Sequence, residues 1–150
     1  MYLKQPEIAG ILVASIHKGV ELVHYELGAY VVMPNHVHLL IRPLIAPDRL
    51  LRSLKGATAR AANLQLGRTG EPFWQKESYD HWVRNGDEFS RIRAYIENNP
   101  VKAGFVERPE DFPWSSAGVE TSLDGARTSA YATSPERQRD QASGLWGLRN

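Results

Sequence analysis

The 150-residue chain contains no cysteine. That absence excludes a disulfide scaffold, a cysteine nucleophile, a zinc finger and a thiolate-bound iron–sulfur cluster together. No apolar run approaches the roughly 20 residues of a membrane helix. The opening MYLKQPEIAG lacks the basic start, apolar centre and small-residue cleavage site of a signal peptide. The expectation is a cytoplasmic protein without a membrane partner. Hydrophobic residues at 42% and charged residues at 23% exclude collagen, mucin and full disorder. A chain of this length hides roughly 70% of its unfolded surface and needs no metal or disulfide merely to fold.

Net charge is almost absent as well, at +1 from 18 Lys and Arg against 17 Asp and Glu. The basic residues are unevenly placed. Between Arg42 and Arg68 there are six (Arg42, Arg49, Arg52, Lys55, Arg60, Arg68) against one acid, Asp48. Charge alone leaves two readings of this stretch, a solvated helix face, which is the simpler, and the footprint of an anionic partner.

Residues from Pro6 to Lys18 read as a helix with an Ile8, Ile11, Leu12, Ile16 stripe, and Gly19 supplies its stop. Tyr25 to Met33 and His36 to Ile41 read as two strands joined tightly at Pro34-Asn35. Asp48 to Leu66 is the longest helical pattern, with Leu50 or Leu51, Leu54, Thr58, Ala61 and Leu64 on one side and most of the basic residues elsewhere. A third strand is expected within Phe73 to Val83. A helix capped at Asn85-Gly86-Asp87 is expected to run to about Asn98, where Pro100 limits continuation. From Gly118 onward only six of 33 residues are large and apolar, Leu145, Trp146 and Leu148 among them. The expected organisation is a folded domain over 1–117 and a flexible, weakly hydrophobic tail over 118–150, whose Leu145–Leu148 end is able to dock.

The strongest chemical signal is Pro34-Asn35-His36-Val37-His38. Side chains at i and i+2 of a strand share a face, so His36 and His38 stand side by side while Val37 and Leu39 point into the core. Two neutral imidazoles on a rigid strand make a seat for a divalent cation; two unrelated histidines on a half-exposed strand fit the same pattern. Tyr95 and Asn99 lie one helical turn apart, beside the Phe89, Ile92, Ile96 stripe that docks their helix. On spacing alone the simpler reading prevails, with Tyr95 a core aromatic with a wet hydroxyl and Asn99 a C-terminal cap.

The blocks AYVVMPNHVHLLIRP (29–43), LLRSLKGATARAAN (50–63), FWQKESYDHWVRN (73–85), RIRAYIENNPVKAGFV (91–106) and PEDFPWSS (109–116) resemble, in collinear order, the REP-associated tyrosine transposases. These belong to the single-tyrosine HUH (His-hydrophobic-His), IS200-like transposases. The resemblance implies an α+β fold, a ferredoxin-like antiparallel sheet with packed helices. It also implies an enzyme that cleaves and rejoins hairpin-bearing single-stranded DNA through a 5′-phosphotyrosine. By the same resemblance His36 and His38 match the paired metal ligands, Tyr95 the nucleophile, and Asn99 the position that supplies a third ligand. The cofactor is expected to be Mg²⁺ or Mn²⁺, and the state a monomer or homodimer.

Relatives carry a strand before the first helix, and this chain starts at the helix. The sheet is therefore expected to lack that strand, leaving the histidine strand with an unpaired neighbour. This is the basis of a second class of reading, a DNA-hairpin binder that kept the fold without turnover. A third is a metal-dependent phosphodiesterase using water. Arg42, Arg49, Arg52, Lys55 and Arg60 are the expected DNA-binding residues. Trp74 and Trp82 are candidates for base stacking or core packing. His81 is a weaker candidate for a ligand or proton acceptor, and Tyr79 is the rival nucleophile.

Overall fold

A computed structural model describes residues 1–76, 78–124 and 143–150. After a 3-10 turn at Tyr2–Lys4 the elements are α1 (Pro6–Glu21), β1 (Tyr25–Met33), β2 (His36–Pro43) and α2 (Pro47–Gln65). Then come β3 (Ser78–Trp82), α3 (Gly86–Glu97), a short α4 (Asn99–Lys102) and β4 (Gly144–Arg149). The described strands form one antiparallel sheet in the order β1–β2–β4–β3. This is the expected α+β class, an antiparallel sheet with helices packed on it.

Two apolar clusters lie on the two faces of the sheet. On one, Ile8, Leu12 and Ile16 of α1 and Leu50, Leu54 and Ala62 of α2 pack with Val37, Leu39, Ile41, Trp146 and Leu148. On the other, Phe89 and Ile96 of α3 pack with Ala29, Val31, Met33, Leu40 and Leu145. Strand alternation divides β2 in this way, odd residues toward α1 and α2 and even residues toward α3. A bulge between Leu27 and Ala29 resets the alternation in β1. Gly28 sits at the bulge, where a Cβ would stand 2.8 Å from the Phe89 ring, so only glycine lets α3 come this close.

α1 runs past Gly19, which was expected to stop it. The residue is instead a contact, because the Tyr25 ring occupies the space where a Cβ would be, and its hydroxyl donates to the Ile16 carbonyl at 2.6 Å. The PEDFPWSS block also has a structural part. Val32 N–H donates to the Trp114 carbonyl, Ser116 N–H to that of Tyr30, and the Ser116 hydroxyl accepts from Tyr30 N–H. Farther along, Ser122 Oγ accepts from Leu27 N–H and Thr121 Oγ1 donates to the Gly28 carbonyl. The outer edge of β1 is thus covered rather than open to another chain.

The chain's end corrects two expectations. Residues 144–149, expected to belong to a flexible tail, form a strand paired on both sides, and Thr121 and Leu123 are buried as well. The composition of 118–150 hides this, because the apolar residues are few but concentrated: Trp146 and Leu148 reach one core and Leu145 the other. The remainder of the expected tail, 125–142, lies outside the described residues. The second correction concerns the sheet. A 3-10 turn, not a strand, precedes α1, yet β2 has no open edge, because β4 pairs with it from His36↔Arg149 to Ile41↔Gly144. Asn150 fastens the end of β4, donating from its side chain to the Phe73 carbonyl at 2.6 Å and from its backbone to the Asn35 carbonyl at 3.0 Å.

Trp146 is 3% exposed, directly across from Leu39 and 5.6 Å, ring to ring, from Trp82. Trp146→Ala is expected to destabilise the protein by about 3–5 kcal/mol, read as a lower urea midpoint. A change under about 1 kcal/mol would mean that β4 does not carry the sheet.

Candidate active site at the paired histidines

His36 and His38 stand on the α3 side of β2 with ring centroids 4.7 Å apart. Their position follows from the alternation, since Val37 and Leu39 between and beyond them are buried on the opposite face. His36 Nδ1 donates to Asn35 Oδ1 at 2.7 Å, which leaves Nε2 without the hydrogen and free to coordinate. His38 Nδ1 is buried and has no hydrogen-bond partner among the described residues. A buried, unsatisfied ring nitrogen next to a second imidazole fits a metal ligand.

Tyr95 projects from α3 over the same spot, its ring 5.7 Å from that of His38 and 44% exposed. It is not a buried core aromatic. The ammonium of Lys102 lies 5.1 Å over the Tyr95 ring. Asn99 opens α4, where Pro100 interrupts the backbone ladder, and is half-buried. No cluster of three or more His, Cys, Asp and Glu residues suited to a metal occurs among the described residues. Any further ligand to a cation at the histidine pair would therefore come from outside those four residue types.

The electrostatics keep both imidazoles neutral. Burial comes first in pushing His38 down to about 4, followed by His36 and by Arg149. His36 is lowered by burial and then by Arg149. Neutral imidazole is the form that binds a metal.

The expected DNA-binding residues do not gather here. Arg49, Arg52 and Arg60 are exposed on α2, across the sheet from the histidines, and Lys55 donates to the Gln75 carbonyl at 3.2 Å. Arg42 sits at the far end of β2 in an ion pair with Glu26, its partner across the strands. Trp74 is a packing residue whose indole N–H donates to Thr58 Oγ1 at 2.9 Å, whereas Trp82 is substantially exposed. His81 pairs with Glu88 at 2.9 Å. Asn35, read only as a turn residue, and Lys102 belong to the site although sequence spacing gave neither a role there.

Fold and site define an α+β protein in which two strand histidines face a helix tyrosine. The family model for IS200-like transposases matches residues 3–99, and the chain belongs to that family. It is 30% identical over 95 residues to the REP-associated tyrosine transposase of Escherichia coli (strain K12), covering 61% of this chain and 54% of that protein. It is 27% identical over 103 residues to a Haemophilus influenzae protein that bears the same designation provisionally, covering 61% of this chain and 58% of that one. The chain thus spans somewhat over half the length of the curated relatives it matches. No solved structure matches it. None of the described helices is long and apolar enough to cross a membrane.

Metal-free protein is expected to lose stability as pH falls from about 6.5 towards 4, because the unfolded chain protonates at His38 before the native one does. Above pH 6.5 both states hold that imidazole neutral, and its contribution is fully present. His38→Gln, melted alongside the parent in EDTA across this range, is expected to show a shallower decline. Parallel curves would show that His38 does not titrate differently in the two states.

Proposed function

We propose that the chain is the catalytic part of a single-strand DNA transposase that cleaves and rejoins DNA through Tyr95. The observation that carries this reading is the exposed Tyr95 ring against His38, on the face where both imidazoles stand. The Tyr95 phenol oxygen attacks the phosphorus of a phosphodiester. A bond forms between them, and the bond from phosphorus to the 3′-oxygen of the preceding nucleotide breaks. The phenol proton leaves to solvent and the departing 3′-oxygen gains one, giving a 5′-phosphotyrosine and a free 3′-hydroxyl. The covalent bond conserves the energy of the phosphodiester, so the reverse attack rejoins strands without ATP.

A phenol that ordinarily ionises near 10 needs help to act at neutral pH. Lys102 Nζ, 5.1 Å from the centre of the Tyr95 ring, places a positive charge close to the phenol that develops negative charge. His36, His38 and Asn99 are the residues that would hold Mg²⁺ or Mn²⁺, and the bound cation would polarise the scissile phosphate and offset its growing charge. Asn35 holds the His36 ring in the tautomer that leaves Nε2 bare. The proposed partner is hairpin-bearing single-stranded DNA, in keeping with relatives that are designated REP-associated. Arg49, Arg52 and Arg60, outward on the far face, would attract it at longer range. With no membrane helix among the described residues and a DNA substrate, the cytoplasm is the proposed location.

The test is a covalent-adduct assay with end-labelled single-stranded hairpin oligonucleotides from the flanks of the protein's own gene, in Mn²⁺ or Mg²⁺, on a denaturing gel. A shifted band lost in Tyr95→Phe and kept in Tyr79→Phe supports the reading. Cleavage surviving Tyr95→Phe would indicate water as the nucleophile. Hairpin binding with neither adduct nor cleavage would favour the non-catalytic binder. Asn35→Ala is expected to weaken Mn²⁺ binding by about 10–100-fold, measured by calorimetry, because the His36 ring loses its orienting partner. Unchanged affinity would remove Asn35 from the site.

A further inference from the structure

The region matched by the family model ends at residue 99, and β4 lies well beyond it. Leu145, Gly147 and Arg149 share one face of β4, the α3 side, as Leu145's place in the α3 core establishes. Gly147 is the register partner of His38 on one side and of Tyr79 on the other. A Cβ at Gly147 would stand 3.6 Å from His38 Nδ1 and 3.6 Å from Tyr79 Cβ, and the three nearest atoms all belong to those two residues. Gly147, itself buried, is thus flanked by the His38 ring on one side and by Tyr79 on the other. Tyr79 is 60% exposed.

Arg149 stands two residues further along the same face, as the register partner of His36. It is exposed and has no ion pair or hydrogen bond from its guanidinium among the described residues. Its charge reaches both imidazoles. A guanidinium that has no side-chain partner among the described residues and stands in register with His36 is suited to a phosphate.

We infer that β4 and β3 form a nucleotide subsite beside the histidine pair, in which Arg149 holds a backbone phosphate and a base stacks on the exposed Tyr79 ring. This rests on the single-stranded DNA reading above and adds to it the residues that position the nucleotide flanking the reacting phosphate. The subsite is sequence-tolerant in kind, because every base presents a π-face to Tyr79.

The experiment measures binding of a fluorescein-labelled single-stranded oligonucleotide carrying one hairpin, by anisotropy in EDTA across a salt series. Arg149→Gln is expected to weaken binding about tenfold and to make the slope of log affinity against log salt shallower by about 0.7, the value for one lost phosphate contact on a single strand. Arg149→Lys is expected to restore the slope. Tyr79→Ala is expected to weaken binding by about fivefold or more with no change in slope. Parent-like affinity and slope in Arg149→Gln, with the parent binding well, would overturn the subsite alone. Failure of the parent to bind would overturn the DNA reading and the subsite with it.

Discussion

The hydrogen bonding of β4 to β2 on one side and β3 on the other is the constraint on which the rest depends. Without those two ladders the chain has two separate pieces of sheet, one carrying the histidines and the other carrying Tyr79. Each ladder also closes an edge that would otherwise present unpaired backbone groups. The interaction is long in sequence, since it joins residues near 40 and 80 to the end of the chain. Trp146 and Leu148 fix its register, because a slip of one residue would turn both away from the core and bring Gly147 and Arg149 into it.

That register places the candidate site. His38, Gly147 and Tyr79 lie side by side in one row, and His36 and Arg149 in the next. α3 crosses this face on Phe89 and Ile96, so Tyr95 reaches His38 while keeping solvent access. The bulge at Gly28 serves the same end, since it lets Phe89 approach the sheet closely enough for the helix to seat. Packing therefore positions the candidate chemistry: the apolar residues of α3 determine where its tyrosine stands.

The division of the sheet into two faces also separates two features that looked alike in the sequence. The basic residues of α2 and the histidine pair are near neighbours in the chain, and both suggested an anionic partner. They lie on opposite sides of the sheet because Leu50 and Leu54 bind α2 to the odd residues of β2, while the histidines are even. Arg42 shares the histidines' face but is neutralised by Glu26. The cation nearest the histidines in the sheet register, Arg149, comes from the part of the chain whose composition looked least structured.

The local signals were legible without the structure. Alternation within His36–Ile41, the Pro34-Asn35 turn, the apolar spacing of α1 and α3 and the spacing of Tyr95 from its docking stripe depend only on the nearest few residues and are found in the fold; in α2 Leu54 and Thr58 are buried as expected, but Leu64 is exposed and Ala62 is buried in its stead. Strand pairing is different, because it depends on which distant segment offers the best partner, and a six-residue strand with two glycines carries almost no signal of its own. The sequence by itself determined the elements from α1 to α3, the family and the pairing of the histidines on one strand face. Only the tertiary structure decided that the final strand fills the middle of the sheet, since that choice is made by burial of Trp146 and Leu148 and by two ladders of backbone hydrogen bonds, neither of which exists until the remote segments meet.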